Sequence, residues 1–147
     1  RWGSAYLTRP FFDRIAETLT DRVVLMVAED GRGVPVAGAL NLRGADTLYG
    51  RNWGAVVDVP FLHFELCYYR ALDYAIAEGL ATVEAGAQGE HKLQRGYLPS
   101  LTRSAHWIAN PSFRRAVENF LAQERPAIAD QMVALLPLSP FRRAGDG

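Results

Sequence analysis

The chain has 147 residues, of which 49% are hydrophobic and 22% are charged, as is typical of one globular domain rather than a disordered chain. The 16 Lys and Arg residues balance the 16 Asp and Glu residues, which argues against a nucleic-acid interface that depends on bulk positive charge. The only cysteine, Cys67, excludes an intrachain disulfide, and with no apolar run near the roughly 20 residues of a membrane span the composition predicts a cytoplasmic protein.

The first part of the chain predicts one helix followed by three strands. Apolar residues recur at helical spacing from Tyr6 to Leu19. A nearly unbroken apolar run from Arg22 to Ala28 predicts a strand that is buried on both faces. Turn residues 29–33 join it to a second strand, Val34–Leu42, as a hairpin, and Asp46–Trp53 forms the third strand.

The middle of the chain predicts a helix and a fourth strand. The helix spans Phe61–Glu78, with Asp58 as a capping residue before it and Gly79 as its C-terminal stop. The strand covers Thr82–Ala87, and a short helix or loop follows over Glu90–Gly96. This order predicts a β-α-β crossover.

The last part predicts a fifth strand, Thr102–Ile108, and a long amphipathic helix that begins at Asn110 and is kinked or restarted by Pro126. A meander followed by a crossover indicates an α/β (α+β) fold, in which helices flank a mixed, mostly antiparallel sheet. We expect one domain over residues 1–136 and a fraying tail over residues 137–147.

The segment from Glu84 to Tyr97 gathers two carboxylates, an imidazole, an amide, two cations and a phenol around three glycines. Because unpaired polar groups are costly to bury, this density predicts a functional pocket. Glu84 lies near a strand end among apolar residues, so it is a candidate catalytic base. The structural alternative is an ion pair with Lys92 or Arg95 that holds the turn together.

Further candidates follow in the same segment. Glu90 is a second candidate base, His91 a proton shuttle near neutral pH, and Tyr97 an acid toward the leaving group. Lys92 and Arg95 are candidate ligands of a phosphate or carboxylate. The alternative is a solvated helical turn at Glu90 and His91 and an ordinary half-buried aromatic at Tyr97.

The predicted helix Phe61–Glu78 carries two more polar candidates. His63 and Glu65 lie two residues apart, so they point to nearly opposite sides of a regular helix. Glu65 is the better substrate-binding candidate if its face lines the cleft, whereas His63, on the face of Cys67, has a core or capping role as its alternative. Cys67 itself is expected to be a small packing residue. No spacing resembles a zinc site or a Ser-His-Asp triad, so no metal is expected.

Several blocks of the sequence resemble a bacterial family labelled peptidoglycan biosynthesis/recognition, a Fem-like branch of the GNAT acyltransferase superfamily. The element order is also similar to the GNAT fold, and the resemblance runs across most of the chain. The blocks are Trp2–Phe12, Tyr49–Gly54, Phe61–Tyr69, Glu84–Pro99 and Ser104–Ile108.

This resemblance implies an enzyme, an N-acyltransferase that moves an acyl or aminoacyl group to an amine, with a cell-wall precursor as acceptor. It also implies a longer protein, whose amino-terminal domain packs against this carboxyl-terminal one. Arg51 and Trp53 would lie where relatives splay two parallel strands apart, placed to bind and stack on an anionic substrate. The alternative for these two is an ordinary strand-end arginine and a core tryptophan.

The acyl donor stays open between acyl-CoA and aminoacyl-tRNA, and no tightly bound cofactor is expected. Residues 53–62 lack the paired glycines that hold the CoA pyrophosphate in the superfamily, and they bring Asp58 near the phosphate position. Fem-type relatives take the acyl group from aminoacyl-tRNA and do not need that loop. A non-catalytic module that recognises a peptide or glycan is the alternative function.

Overall fold

A computed structural model describes residues 7–86 and 90–141 of the chain. The chain divides into two compact units, Arg1–Ala87 and Gln88–Gly147. The described part of the first unit contains a sheet and helices, and that of the second is helical. The single domain expected over residues 1–136 stays a prediction.

The sheet of the first unit has four strands in the order β1-β2-β3-β4. β1 pairs with β2 and β2 with β3 in antiparallel fashion, whereas β3 and β4 run parallel. The mixed α/β (α+β) fold, the hairpin, the third strand and the crossover are therefore confirmed. The elements are α1 at Arg9–Thr18, β1 at Val23–Glu29, β2 at Pro35–Arg43, β3 at Thr47–Ala55 and β4 at Thr82–Glu84.

A single run of helix connects β3 to β4 and is called the central helix below. It consists of α2 (Leu62–Phe64), a π-helical segment (Glu65–Tyr69) and α3 (Arg70–Ala77). The predicted helix Phe61–Glu78 is therefore confirmed, but its π-helical middle was not expected. Gly79, with a φ of 65°, ends the helix as predicted, since glycine adopts this left-handed conformation without a steric penalty.

The predicted capping role of Asp58 is wrong. The residue that precedes the first helical turn is Phe61, and no side chain caps this end of the helix. Phe61 has a φ of 67°, which is unusual for a bulky residue because its Cβ crowds the backbone. Its ring stacks on that of Phe64, with the centroids 6.3 Å apart, and this contact offsets part of the strain.

The core lies between one face of the sheet and the central helix. Ala37 and Ala39 of β2 are buried with Leu66 of the helix, and Met26 of β1 packs against them. Because alternate residues of a strand share a face, the small alanines of β2 let the helix approach the sheet closely. Leu48 of β3 is fully buried in the same unit.

The expectation that β1 is buried on both faces is wrong. Met26 faces the central helix, but Leu25 and Val27 point to the other face and are 59% and 41% exposed. β1 is an edge strand, so its apolar run leaves one face and one edge open in the described part of the chain. A continuous apolar run does not by itself distinguish a central strand from an edge strand.

The second unit contains a 3₁₀ helix at Glu90–Arg95, the long helix α4 at Pro111–Leu135 and a 3₁₀ turn at Leu136–Leu138. The backbone N–H of Phe113 donates to the side chain of Asn110 at 3.0 Å, which confirms the predicted start of α4.

One prediction for the second unit is wrong. Thr102–Ile108 is not a strand, because no strand in the described part of this unit offers it a backbone ladder. The helix α4 is continuous through Pro126, so it does not restart there, and a kink at Pro126 stays a prediction. The predicted tail over residues 137–147 lies largely outside the described residues.

Asp30 organises the turn between β1 and β2, and its charge predicts an acid dependence of stability. Its Oδ1 accepts the backbone N–H groups of Arg32 at 2.8 Å and Val34 at 3.0 Å. Chiefly the bond from Val34, and then that from Arg32, lowers the pKa of Asp30 below its ordinary value of 3.8. A depressed folded-state pKa means that this stabilisation is present above about pH 3.8 and is lost as the pH falls through the lower folded-state value.

We therefore expect Asp30→Ala to lower the free energy of unfolding at pH 7 and to flatten its fall between pH 5 and pH 2, because both acceptor and charge are lost. Asp30→Asn keeps an acceptor oxygen and serves as the matched control, with a smaller loss at pH 7 but the same flattening. Urea unfolding at several pH values measures both quantities. An unchanged acid slope in both variants would contradict the assignment.

Candidate functional site

The parallel strands β3 and β4 part soon after they begin to pair. Their last pair joins Tyr49 to Glu84, where β4 ends, while β3 continues to Ala55. The register between β2 and β3 shifts at the same level, so that Arg51 is an extra residue in β3. Such β-bulges bend a strand and redirect its side chains, and they are frequent beside active sites. The sheet thus opens beyond Tyr49.

Gly50 lies at the point where the two strands separate. A Cβ atom at this position would lie 3.3 Å from the carbonyl oxygen of Glu84 and 3.7 Å from the Cα of Ala85. Both neighbours are backbone atoms, which cannot rotate away as the end of a side chain can. The close approach of β3 to the end of β4 therefore depends on glycine at this position.

A cleft of about 140 Å³ lies at this opening. Its volume is close to the roughly 150 Å³ of a protein cavity that holds a benzene ring. It lies entirely within the first unit. Its polar and aromatic side chains come from β2, β3 and the central helix; they are Asn41, Arg51, Asn52, Trp53, His63 and Tyr68.

Two asparagines lie at the cleft. Asn41 is 1% exposed, and its Nδ2 donates to the carbonyl oxygens of Ala39 at 3.2 Å and Val24 at 3.3 Å. The Oδ1 of Asn52 is buried and has no hydrogen-bond partner in the described part of the chain. Asn52 lies opposite Leu40, which lies opposite Leu25, so its side chain is on the face of the sheet away from the central helix.

Sequence reasoning missed both asparagines. A signal was present for Asn41, which stands between two leucines in an otherwise apolar strand. An amide at such a position is expected to be either bonded inside the core or directed to a site.

His63 stands at the centre of an aromatic cluster at the cleft. Its ring centroid lies 5.4 Å from that of Trp53, 5.4 Å from that of Phe64 and 5.5 Å from that of Tyr68, all in edge-to-face arrangements. His63 is half-buried and Tyr68 is buried. Edge-to-face contacts of this kind fix the orientation of a ring.

The π-helical segment explains why the face with His63, rather than the face with Glu65, borders the cleft. A π-helix bonds residue i to i+5, so His63 and Tyr68 come to lie side by side. A regular helix would have placed Tyr68 with Glu65. Instead, Glu65 is not among the cleft-lining residues, and its Oε1 accepts from Nε of Arg70 at 2.9 Å. A substrate role for Glu65 stays a prediction.

Cys67 lines the cleft beside this cluster. Burial raises the pKa of its thiol to about 11, so the group is protonated at neutral pH. A protonated thiol is a poor nucleophile. This agrees with the predicted packing role.

Arg51 and Trp53, the two predicted substrate-binding residues of β3, both line the cleft. Arg51 is exposed and Trp53 is 36% exposed, so both are accessible from solvent. The predicted splay of two parallel strands at this level agrees with the parting of β3 and β4. Their roles toward a substrate stay predictions.

Glu84, the predicted base, lies on the other side of the sheet. Residues directly opposite each other in a sheet share a face. Leu48 of β3 lies opposite Val83 of β4 and opposite Arg43 of β2, so these three side chains share a face. Nη1 of Arg43 donates to Oε2 of Glu78, the residue after α3, at 2.7 Å, which identifies this face as the one toward the central helix. Val83 therefore faces the central helix and Glu84 faces away from it. Glu84 is half-buried and does not line the cleft, although Ala85 does.

The remaining predicted residues belong to the second unit. His91, Lys92, Arg95 and Tyr97 are half-buried, and Nη1 of Arg95 donates to the carbonyl oxygen of His91 at 2.8 Å. Burial lowers the pKa of Lys92. Glu90 begins the 3₁₀ helix. The functional roles of all five residues stay predictions.

Two of the three glycines of this segment adopt the left-handed backbone conformation. Gly86 has a φ of 77° and Gly96 a φ of 84°. A Cβ on Gly96 would also overlap the ring of Phe141, so no larger residue fits there unless that ring moves. Gly89 lies outside the described residues.

Within residues 7–86 and 90–141, no group of three or more His, Cys, Asp or Glu side chains is arranged to hold a metal ion. None of the helices in these ranges is long and apolar enough to cross a bilayer.

A family model described as peptidoglycan biosynthesis/recognition, FemAB-like, matches residues 1–143 of the chain. The chain belongs to the FemAB-like family. This match confirms the resemblance drawn from the sequence blocks. Membership of the family implies a function related to peptidoglycan. No curated protein and no solved structure matches it.

The contact at Gly50 predicts a clear difference between two glycines of β3. Gly50→Ala should destabilise the protein by about 1–3 kcal/mol, because the methyl group presses on the backbone of β4. Gly54→Ala is the matched control, since a Cβ there meets no atom within 4 Å. It should change stability by less than about 1 kcal/mol. Urea unfolding of both variants tests this, and equal effects would contradict the role of Gly50.

Proposed function

We propose that this FemAB-like domain is an N-acyltransferase, which moves a small acyl or aminoacyl group from an activated ester or thioester to an amine of a cell-wall precursor. The observation that carries the proposal is the cleft at the parting of β3 and β4. Its size suits the transferred group. Family membership supports the cell-wall acceptor.

The backbone of β3 supplies a means of stabilising the transition state. When the amine attacks the carbonyl carbon, the carbonyl oxygen becomes an oxyanion that needs hydrogen-bond donors. Beyond Tyr49, β3 has no strand partner on its β4 side in the described part of the chain. N–H groups along this edge are suited to bind the oxyanion.

His63 is the group in the cleft that is best suited to move the proton. The attacking amine must lose a proton, and the leaving thiolate or alkoxide gains one as its bond to the carbonyl carbon breaks. An imidazole can do both near neutral pH. Glu84 and Glu90 remain alternative bases on the sequence argument, but Glu84 faces the other side of the sheet.

Arg51 and Trp53 are proposed to bind the anionic part of a substrate, through the guanidinium and by stacking. Acyl-CoA and aminoacyl-tRNA both remain as donors. The carboxylate of Asp58 does not cap the central helix.

A module that binds a peptide or glycan without catalysis is the second candidate, favoured by the family description, which includes recognition. A screen of acyl-CoA and aminoacyl-tRNA donors against cell-wall precursor peptides, with product mass measured, separates the two. New amide product supports the transferase. Binding of the peptide by calorimetry, with no product from any donor, supports the module.

Replacement of His63 tests the assignment of the proton-transfer group. We expect His63→Phe to lower turnover about 100-fold or more while the fold is retained, because phenylalanine keeps the edge-to-face packing and lacks the nitrogens. Glu84→Gln and Glu90→Gln are compared in the same assay, with thermal unfolding as the check on folding. Normal turnover in His63→Phe together with a large loss in either glutamine variant would assign the base to that glutamate.

Replacement of Arg51 tests substrate binding. Arg51→Ala should raise KM about tenfold or more and leave the free energy of unfolding within about 0.5 kcal/mol, because the side chain is exposed at the cleft. Arg32→Ala is the matched control, since the Arg32 side chain is 85% exposed in a turn away from the cleft. Equal kinetics of the two variants would remove Arg51 from the site.

A further inference from the structure

The outer edge of β1 is open in the described part of the chain. β1 is the first strand of the sheet, and its outer edge has no strand beside it. Natural edge strands are usually protected by proline, lysine or an inward-pointing charge. The residues from Val23 to Ala28 contain none of these.

The hydrogen bonds of the hairpin show which backbone groups point to that edge. The N–H of Arg43 in β2 donates to the carbonyl oxygen of Arg22 at 2.7 Å. Residue 22 and every second residue after it therefore direct their backbone groups toward β2. Val23, Leu25 and Val27 direct theirs outward, and the N–H of Val23 already donates to Leu19 at 3.0 Å. The outward donors still open for pairing are those of Leu25 and Val27.

The side chains of the same two residues lie on the exposed face of the sheet. Leu25 is 59% exposed and Val27 is 41% exposed. An added strand in the correct register would thus satisfy their backbone groups and cover their side chains together.

We propose that β1 pairs antiparallel with β1 of a second copy of this chain, about a two-fold axis at Met26, to join two sheets into one. In this register Leu25 lies opposite Val27 of the second copy, and each such pair exchanges both N–H···O bonds. Apolar side chains meet apolar side chains on both faces of the joined sheet.

The charges at the ends of β1 favour the same register. With the axis at Met26, Arg22 lies opposite Asp30 of the second copy, so opposite charges meet at both ends. With the axis at Leu25, Asp21 would lie opposite Glu29 of the second copy, and like charges in that position are destabilising. That register would also place the N–H of Val23, which already donates to Leu19, opposite Val27 inside the ladder. With the axis at Met26 this N–H falls at the end of the ladder, opposite Glu29 of the second copy. A register shifted by one residue would place the helix-facing side chains of one copy opposite the outward-facing side chains of the other.

The interface is small, since one short strand contributes most of it, so we expect a reversible dimer in the micromolar range or weaker. Sedimentation velocity of the chain at increasing concentration should show a monomer–dimer equilibrium. Leu25→Lys should raise the dissociation constant at least about tenfold, because it places like charges in the interface. Ile76→Lys is the matched control, since Ile76 is 77% exposed on the central helix.

A second variant keeps the test decisive if Leu25→Lys fails to fold. Val27→Pro removes an N–H that points to the open edge and leaves the bonds between β1 and β2 in place. It should also weaken the dimer at least about tenfold, with circular dichroism as the check on folding. A chain that stays monomeric at all concentrations would overturn the proposal, as would a dimer that both edge variants leave unchanged.

Cross-linking decides the register. In a Cys67→Ala background, Met26→Cys should form an intermolecular disulfide on oxidation, because residues at the axis of a non-hydrogen-bonded pair have Cα atoms about 4.5 Å apart. Leu25→Cys is the matched control and should remain largely unlinked. In this register residue 25 lies opposite Val27 of the second copy, so the two cysteines would be two residues apart along the strand. Rapid linking of Leu25→Cys with none of Met26→Cys would overturn the proposed register. Large irregular assemblies would instead indicate aggregation through the edge and would overturn the dimer.

Discussion

The lack of a side chain at Gly50 of β3, where a Cβ atom would lie 3.3 Å from the carbonyl oxygen of Glu84 at the end of β4, is the constraint on which the site depends. It sets how closely two parallel strands run before they part. The opening beyond that point is the cleft, and the bulge at Arg51 redirects the side chains of β3 beside it. A methyl group at residue 50 would press on backbone atoms of β4, so the shape of the site is linked to the smallest side chain in the sheet.

The central helix completes the cleft because its middle is π-helical. This segment places His63 beside Tyr68 and brings both to the cleft with Cys67. It also directs Glu65 away, to an ion pair with Arg70. π-Helical segments are rare and are frequent at functional sites, because they redirect side chains at the expense of regular hydrogen bonding. The cleft therefore combines an imidazole in a fixed orientation with an accessible guanidinium.

The two faces of the sheet are used differently. One face packs against the central helix through the small side chains of Ala37 and Ala39. The other face carries Leu25 and Val27, which remain exposed beside an open strand edge. Stability of the unit comes from the first face. The second face, with the edge, is the surface on which we propose that a second copy of the chain pairs.

The sequence by itself determined the family, the mixed sheet and most element positions, because hydrophobic periodicity, turn residues and helix stops such as Gly79 act over short distances along the chain. It also predicted that Arg51 and Trp53 lie where the strands part. The tertiary structure alone decided three features: the exposure of β1, the absence of a strand at Thr102–Ile108, and the presence of His63 rather than Glu65 at the cleft. The first two depend on which segment each one meets in space. The third depends on one extra residue in a helical turn, and local periodicity encodes none of the three.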